Sequence, residues 1–232
     1  MIAKLERRFT KGLSLLTSYT YGHSIDGGGN NNDAIDPGPQ DVRNLRGQKG
    51  PSNFDIRHRF ALSGFYQLPF GKSRGFVNQL IRNWQLSGIF SAQTGQPFTV
   101  TLSSDPSATG ATAHPNRLRD GNLPADQRSI RHWFDTSAFA IPTCVCFGNS
   151  GRGVIRGPGF MDLDLGVIRD FPFGERFRLQ FRAESFNLTN TPTFASPGNL
   201  NYLDTVNFGQ ISKTRDAPND AREIQFALKF YW

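Results

Sequence analysis

No run of apolar residues in this chain approaches the roughly 18 to 20 in succession that a membrane-spanning helix requires, so a helical membrane protein is excluded. Chemistry-bearing motifs are equally scarce. The four histidines, His23, His58, His114 and His132, are scattered, with no H-E-x-x-H pair, and no serine sits in a G-x-S-x-G elbow. "GRGVIRGPG" at 151–159 invites comparison with a phosphate-cradling loop, but its glycines miss the G-x-G-x-x-G spacing and no Lys-Ser or Lys-Thr follows. Close packing beside the next strand is the expectation there. Only two cysteines occur, Cys144 and Cys146 in "TCVCFG". In an extended segment their spacing is too long for relaxed disulfide geometry, so a bridge requires a tight turn. A lone C-x-C without a second pair is a weak metal signal. No enzyme activity, cofactor or metal is assigned.

What the sequence does have is aromatic and turn-forming residues: 21 Phe against two Met, with 24 Gly and 14 Pro in 232 residues. That balance favours many strands separated by tight reversals, an all-β protein. A β-barrel survives the hydropathy test that excludes helices, since each strand needs only about 9 to 11 alternating residues. Strands are expected at 2–9, 13–23, 57–68, 82–94, 160–170, 176–188, 207–214 and 222–232. Most share one grammar. In "REIQFALKFYW", Ile224, Phe226, Leu228, Phe230 and Trp232 occupy one face and Glu223, Gln225, Lys229 and Tyr231 the other. In 176–184, Phe177, Leu179 and Phe181 alternate with four charged residues and one glutamine.

Such strands are about twice as long as the globular average, and Tyr19, Tyr21, Trp84, Tyr231 and Trp232 fall at their ends. Long strands with aromatic ends match the height of a bilayer and its interfacial girdles. Asp162 and Asp164 share one strand face and are expected to neutralise neighbouring arginines. The net charge of +7 is spread along the chain and alternates with apolar residues, so it points to a basic lumen or an anionic lipid surface, and nucleic acid is not assigned as a partner.

Two kinds of connection separate the strands. "TKG" at 10–12, "LPFGK" at 68–72 and "FPFGE" at 171–175 read as tight turns. Segments 24–56 and 95–159 are long, polar and rich in Gly, Asn and Pro, which is uncommon inside compact soluble domains but routine on the outer face of barrels. Phe98, Trp133 and Phe134 in the second loop could stack on a ligand or pack the loop. The opening "MIAKLERRFTKGLSLLTSYT" is read as a hairpin, since its apolar part is too short and interrupted for an export signal.

In order along the chain, "DIRHRFALSGFYQLPFG", "NWQLSGIFSAQTGQPFTV", "RGPGFMDLDLGVIRDFPFGERFRLQFRAESFNLTNTPTF" and the closing "REIQFALKFYW" resemble the C-terminal barrel region of TonB-dependent outer-membrane receptors, of the Oar-like group that carries a carboxypeptidase-regulatory-like domain at its N-terminus. The resemblance covers nearly the whole chain. It implies a barrel of about twenty-two strands enclosing a plug, uptake driven by the TonB complex of the inner membrane, and residence in the cell outer membrane among its lipids. It also implies that Ile224, Phe226, Leu228, Phe230 and Trp232 form the last-strand signal read by the barrel-assembly machinery. The family places an export signal, an energy-coupling box and a plug ahead of the strands. Residues 1–232 are therefore expected to be a C-terminal part of the barrel, its plug and N-terminal strands being missing partners.

Counting strand directions inward from each end makes 82–94 and 160–170 both run outward, so one further strand is expected within 95–159, around Phe98, Val100 and Leu102 or around 137–147. That gives nine strands, part of a larger antiparallel up-and-down barrel; without the extra strand, a closed eight-stranded barrel is the alternative. A stand-alone barrel with a structural or adhesive role, and a soluble β-sandwich binding carbohydrate or nucleic acid, are the other function classes compatible with the composition.

Overall fold

The computed structural model describes residues 1–28, 38–70, 82–174, 176–215 and 221–232. Seven long strands form one sheet: β1 (Ile2–Thr10), β2 (Leu13–Tyr21), β3 (His58–Gln67), β4 (Trp84–Gln93), β5 (Phe160–Phe173), β6 (Phe177–Phe186) and β7 (Glu223–Tyr231). Their spatial order is their chain order and every neighbouring pair is antiparallel. The expected all-β, up-and-down architecture is thus present, as an open sheet with β1 and β7 at its edges.

Two strand expectations fail, and they fail together. Residues 207–214 form turns, with only Thr214 in an isolated bridge to Phe194. Phe208 and Ile211 are buried but lie three residues apart, and Gly209 takes a φ of +79° that interrupts an extended chain. Within 95–159 no described segment joins the main sheet, because β4 pairs directly with β5 from Gln93↔Phe160 to Trp84↔Arg169. Pro97–Phe98 instead forms a two-residue ladder with Ile155–Arg156, and Phe139–Ala140 one with Asn116–Arg117. Removing the strand at 207–214 reverses the direction assigned to the two strands before it. The alternation then closes without an added strand.

Three long connections, 22–57, 94–159 and 187–222, consequently leave from one end of the sheet, and the shorter ones, 11–12, 68–83 and 174–176, from the other. The β1–β2 reversal has Lys11 at φ +52° and Gly12 at φ +82°, the pair of positive angles that a two-residue hairpin needs. Gly12 has a second constraint: a Cβ there would lie 2.8 Å from the Gln67 carbonyl oxygen. Of "FPFGE", Phe171–Phe173 end β5 and Gly174 takes φ +68° at the reversal; residue 175, like residues 71–72 of "LPFGK", lies outside the described residues.

Register puts partners across the sheet on a common face. One face carries Leu15, Leu62, Leu86, Leu163, Leu165 and Val167 across its middle, continuing through Phe181 and Leu228 to the β7 edge. Tyr19, Tyr21 and Phe60 stand at its long-loop end, and Tyr66, Trp84, Phe171, Phe177 and Phe230 at its short-turn end. Arg169, at that latter level, lies between the rings of Trp84 and Phe171, with its guanidinium 5.2 and 4.1 Å from their centroids. The opposite face carries Ser14, Ser63, Ser87, Asp162, Asp164, Gln180, Arg182, Glu184, Gln225 and Lys229.

The apolar core lies in the loops. Phe98, Val100, Phe134, Ala138, Phe139, Ile155, Leu200 and Phe208 form a buried cluster drawn from the second and third long connections. Phe134 meets Phe139 and Phe208 edge-on, with ring centroids 6.0 and 5.1 Å apart, the geometry the aromatic quadrupole favours. Phe98 and Val100 belong to this core and Leu102 is buried at a bridge to Ala113, while Thr99 between Phe98 and Val100 is buried as well. The run has the residue pattern of a strand inside a buried loop.

Candidate functional site

Three features of the molecule carry chemistry: the apolar face, the polar face, and the loop layer at one end. On β7 the residues expected as the assembly signal all stand on the apolar face and are more than half exposed, from Phe230 at 53% to Trp232 at 88%. No other described residue covers them. Phe181 stacks near Phe226, and Phe177 near Phe230, so the edge strand is held in register by cross-strand ring pairs as well as by its ladder.

On the polar face charges meet in pairs. The Arg182 guanidinium bonds the Glu184 carboxylate at 2.6 Å, and Gln225 donates to the other Glu184 oxygen at 2.7 Å. Gln180 donates to Asp170, and the Asn187 amide to Asp164. No described contact pairs Asp162 or Asp164 with an arginine; charges pair instead between Arg178 and Asp170, 4.0 Å apart across β6 and β5, and between Arg182 and Glu184 within β6. A concavity of about 410 Å³ runs across this face, lined by Ser63, Ser87, Asp164 and Glu184 together with the apolar Leu16, Phe65, Ile89 and Phe186.

The loop layer is tied together by buried ions. Asp55 accepts from the Ser24 amide at 2.8 Å, from Arg156 Nη2 at 2.5 Å, and faces His23 Nδ1 at 3.3 Å. Burial by itself would push the Asp55 carboxyl up; the hydrogen bonds from Arg156, Ser24 and His23 outweigh it and hold the group below the usual carboxylate range. Arg152, almost wholly buried, pairs with Asp26 and donates to the Gln48 and Gly50 carbonyls. Gln40 clamps the same two loops, donating to the Gly148 carbonyl and accepting from the His114 amide. Segment 151–159 is therefore the anchor between first and second loops, with Arg152 and Arg156 as its ties. Its glycines serve close approach, as expected: a Cβ on Gly159 would fall 2.4 Å from the Gln93 oxygen.

His114 is buried, with Nδ1 donating to the Ser150 carbonyl at 2.9 Å and no partner for Nε2 among the described residues. Burial pushes its pKa down, against the opposing effect of that hydrogen bond. Among the described residues no group of histidine, cysteine and carboxylate ligands could hold a metal ion. Cys144 and Cys146 form a disulfide, their Cα atoms 5.3 Å apart because residues 143–146 bend. That bend is the turn such a bridge requires.

The three loop aromatics are placed unequally. Phe98 and Phe134 lie inside the loop core, at 1% exposure each, where they pack. Trp133 covers the core from outside, donating from Nε1 to the Arg156 carbonyl at 2.9 Å beneath the Arg128 guanidinium. Sequence reading missed the arginine ties and the third long loop, 187–222. The signal available for the ties was two arginines inside a glycine-rich segment; nothing in the sequence marked their acidic partners.

An antiparallel meander with hydrocarbon-type side chains dominating one surface, mostly polar side chains on the other, aromatic belts, the shorter connections at one end and built loops at the other defines the wall of an outer-membrane β-barrel. The chain belongs to the outer membrane beta barrel domain family, whose model matches residues 1–225. Its location is the outer membrane. No curated protein and no solved structure matches the chain.

Proposed function

We propose that residues 1–232 are the C-terminal part of the barrel of a TonB-dependent, Oar-like receptor that takes up a scarce ligand with inner-membrane energy. The observation that carries this reading is the loop layer. Three connections leave one end of the sheet and build a core with buried ion pairs there, an investment that a passive pore or a membrane staple does not need but a selective outer face does. The resemblance of the four quoted strings supports the same family. The open sheet supports a larger barrel, since an unpaired strand edge in hydrocarbon leaves backbone groups unsatisfied.

In this reading the chain has no catalytic role. The concavity of the polar face looks toward the plug side, Trp133 and the exposed loop surface contribute to ligand selection, and β7 is presented to the assembly machinery. A stand-alone barrel with a structural or adhesive role is the competing assignment.

The test starts with the DNA flanking the reading frame. An in-frame upstream segment encoding a plug and further alternating strands is the expected result; a secretion signal joined directly to Ile2 would overturn it in favour of the stand-alone barrel. The complete receptor should then migrate heat-modifiably, fractionate with outer membranes and bind the periplasmic domain of TonB. A correctly folded receptor that fails to bind it would remove the uptake half of the proposal.

A further inference from the structure

We infer that the chain binds a phosphate group of an outer-leaflet lipid in a cationic pocket where the strands meet the loop layer. This goes beyond the uptake reading and does not depend on it. The pocket encloses about 400 Å³ and is lined by Arg57, His58, Thr94, Arg128 and Arg156, with bare glycine backbone between them. Three arginines border one cavity, and no acidic residue lines it among the described residues. Asp55, behind Arg156, offsets one of the three charges. Several convergent guanidiniums recognise the oxygens of a phosphate through charge-assisted bonds.

Location selects a lipid as the source. His58 closes the pocket on its strand side and belongs to the apolar face, paired with Tyr21. Its Nδ1 lies 2.7 Å from the Tyr19 hydroxyl and its ring 5.2 Å from that of Tyr21. Those tyrosines are the aromatic belt at the long-loop end, which in such barrels is the outer interface. The pocket therefore opens just beyond the hydrocarbon band, at the depth of lipid head groups, where basic pockets hold anionic head groups. Its walls are built: the Thr94 amide donates to the His58 carbonyl at 3.0 Å, and Thr94 Oγ1 accepts from the His58 amide at 3.2 Å. Arg128 is fixed by a bond from Nε to the Leu123 carbonyl at 2.7 Å and by its place over Trp133. Arg156 is oriented by Asp55.

The experiment titrates the natural protein, purified from outer membranes in neutral detergent, with diphosphorylated lipid A, with phosphatase-treated lipid A and with sodium phosphate, read by native mass spectrometry and by Trp133 emission. Lipid A is expected to bind at least about tenfold more tightly than its dephosphorylated form, and sodium phosphate to compete only at much higher concentration. The double variant Arg57→Gln/Arg128→Gln should weaken lipid A about tenfold and leave the dephosphorylated lipid unchanged. Should that variant lose heat-modifiable migration, Arg57→Gln alone, at an exposed residue, is expected to weaken binding about threefold. Equal binding of the two lipids, or no effect of either variant, would overturn the proposal. Phosphate binding as tight as that of lipid A would overturn the lipid source in favour of a free anion.

Discussion

Single side chains set the stability of the loop layer, because its core is small and its ties are ionic. Phe134 touches Phe98, Phe139 and Phe208, so Phe134→Ala opens a cavity at the centre of the aromatic cluster. The expected cost is about 3–5 kcal/mol of loop-layer stability, measured by denaturant titration of Trp133 fluorescence, with the barrel's heat-modifiable migration unchanged. Two titrations give the layer a pH dependence of known sign. His114 has a folded pKa below its unfolded value, so the unfolded loop binds more protons, and stability that is complete above about pH 6.5 is lost as pH falls. Asp55 is also lowered, and its contribution, present above the ordinary carboxylate range near 4, is lost on further acidification. The Trp133 transition should therefore weaken in two stages on acidification, and His114→Gln should remove the upper stage alone. A single stage that His114→Gln leaves unmoved would contradict this assignment.

Strands were legible in the sequence wherever two solvents impose a period of two, and illegible wherever a third environment imitated it. Along β3 to β7 hydrocarbon meets one face and polar surroundings the other, so the alternation of Phe177, Leu179 and Phe181 with arginines located β6 to within a residue or two. Phe98 and Val100 enter the loop core, but Pro97 and Thr99 beside them are just as buried, Thr99 accepting from the Gly153 amide, so the alternation there reflects a wholly buried loop, a fold-level fact that no local pattern carries. Segment 207–214 was mistaken for similar reasons: Phe208 and Ile211 are buried, but from a turn. The arginine ties to Asp26 and Asp55 span more than a hundred residues, and charge alone did not pair them. The edge strand β7 supplies the test of the two-solvent account. Phe226→Lys puts a charge into hydrocarbon and should cost about 2–4 kcal/mol, while Gln225→Lys, one residue away on the polar face beside Glu184, should cost little. Both are measured by urea titration of the barrel in lipid vesicles, and comparable costs for the two would refute the assignment of faces.

For the molecule as a whole, the decisive property is that one surface of the sheet is wetted by lipid and the other is not, with the loop layer above both. That arrangement predicts a labelling pattern. With Cys144 and Cys146 replaced by serine, since their disulfide lies beside the exposed Val145, single cysteines at consecutive positions of β4 give a periodic readout. Leu86→Cys belongs to the apolar face and should resist a water-soluble maleimide in intact outer membranes, becoming reactive only to a membrane-permeant one. Ser87→Cys, on the polar face beside Gly166, should react with the water-soluble reagent or be shielded by whatever fills the interior, and in neither case should it respond to lipid-soluble quenchers. The same alternation must continue at Val167 and Gly166 on β5, which pair with these positions. It must also survive at β1 and β7, because strands closing the sheet on either side would leave their outward residues in lipid and satisfy their free backbone edges. If instead Leu5→Cys on β1 and Leu228→Cys on β7 both react freely with the water-soluble reagent while Leu86→Cys does not, the two edges face water, and the sheet is not part of a closed wall.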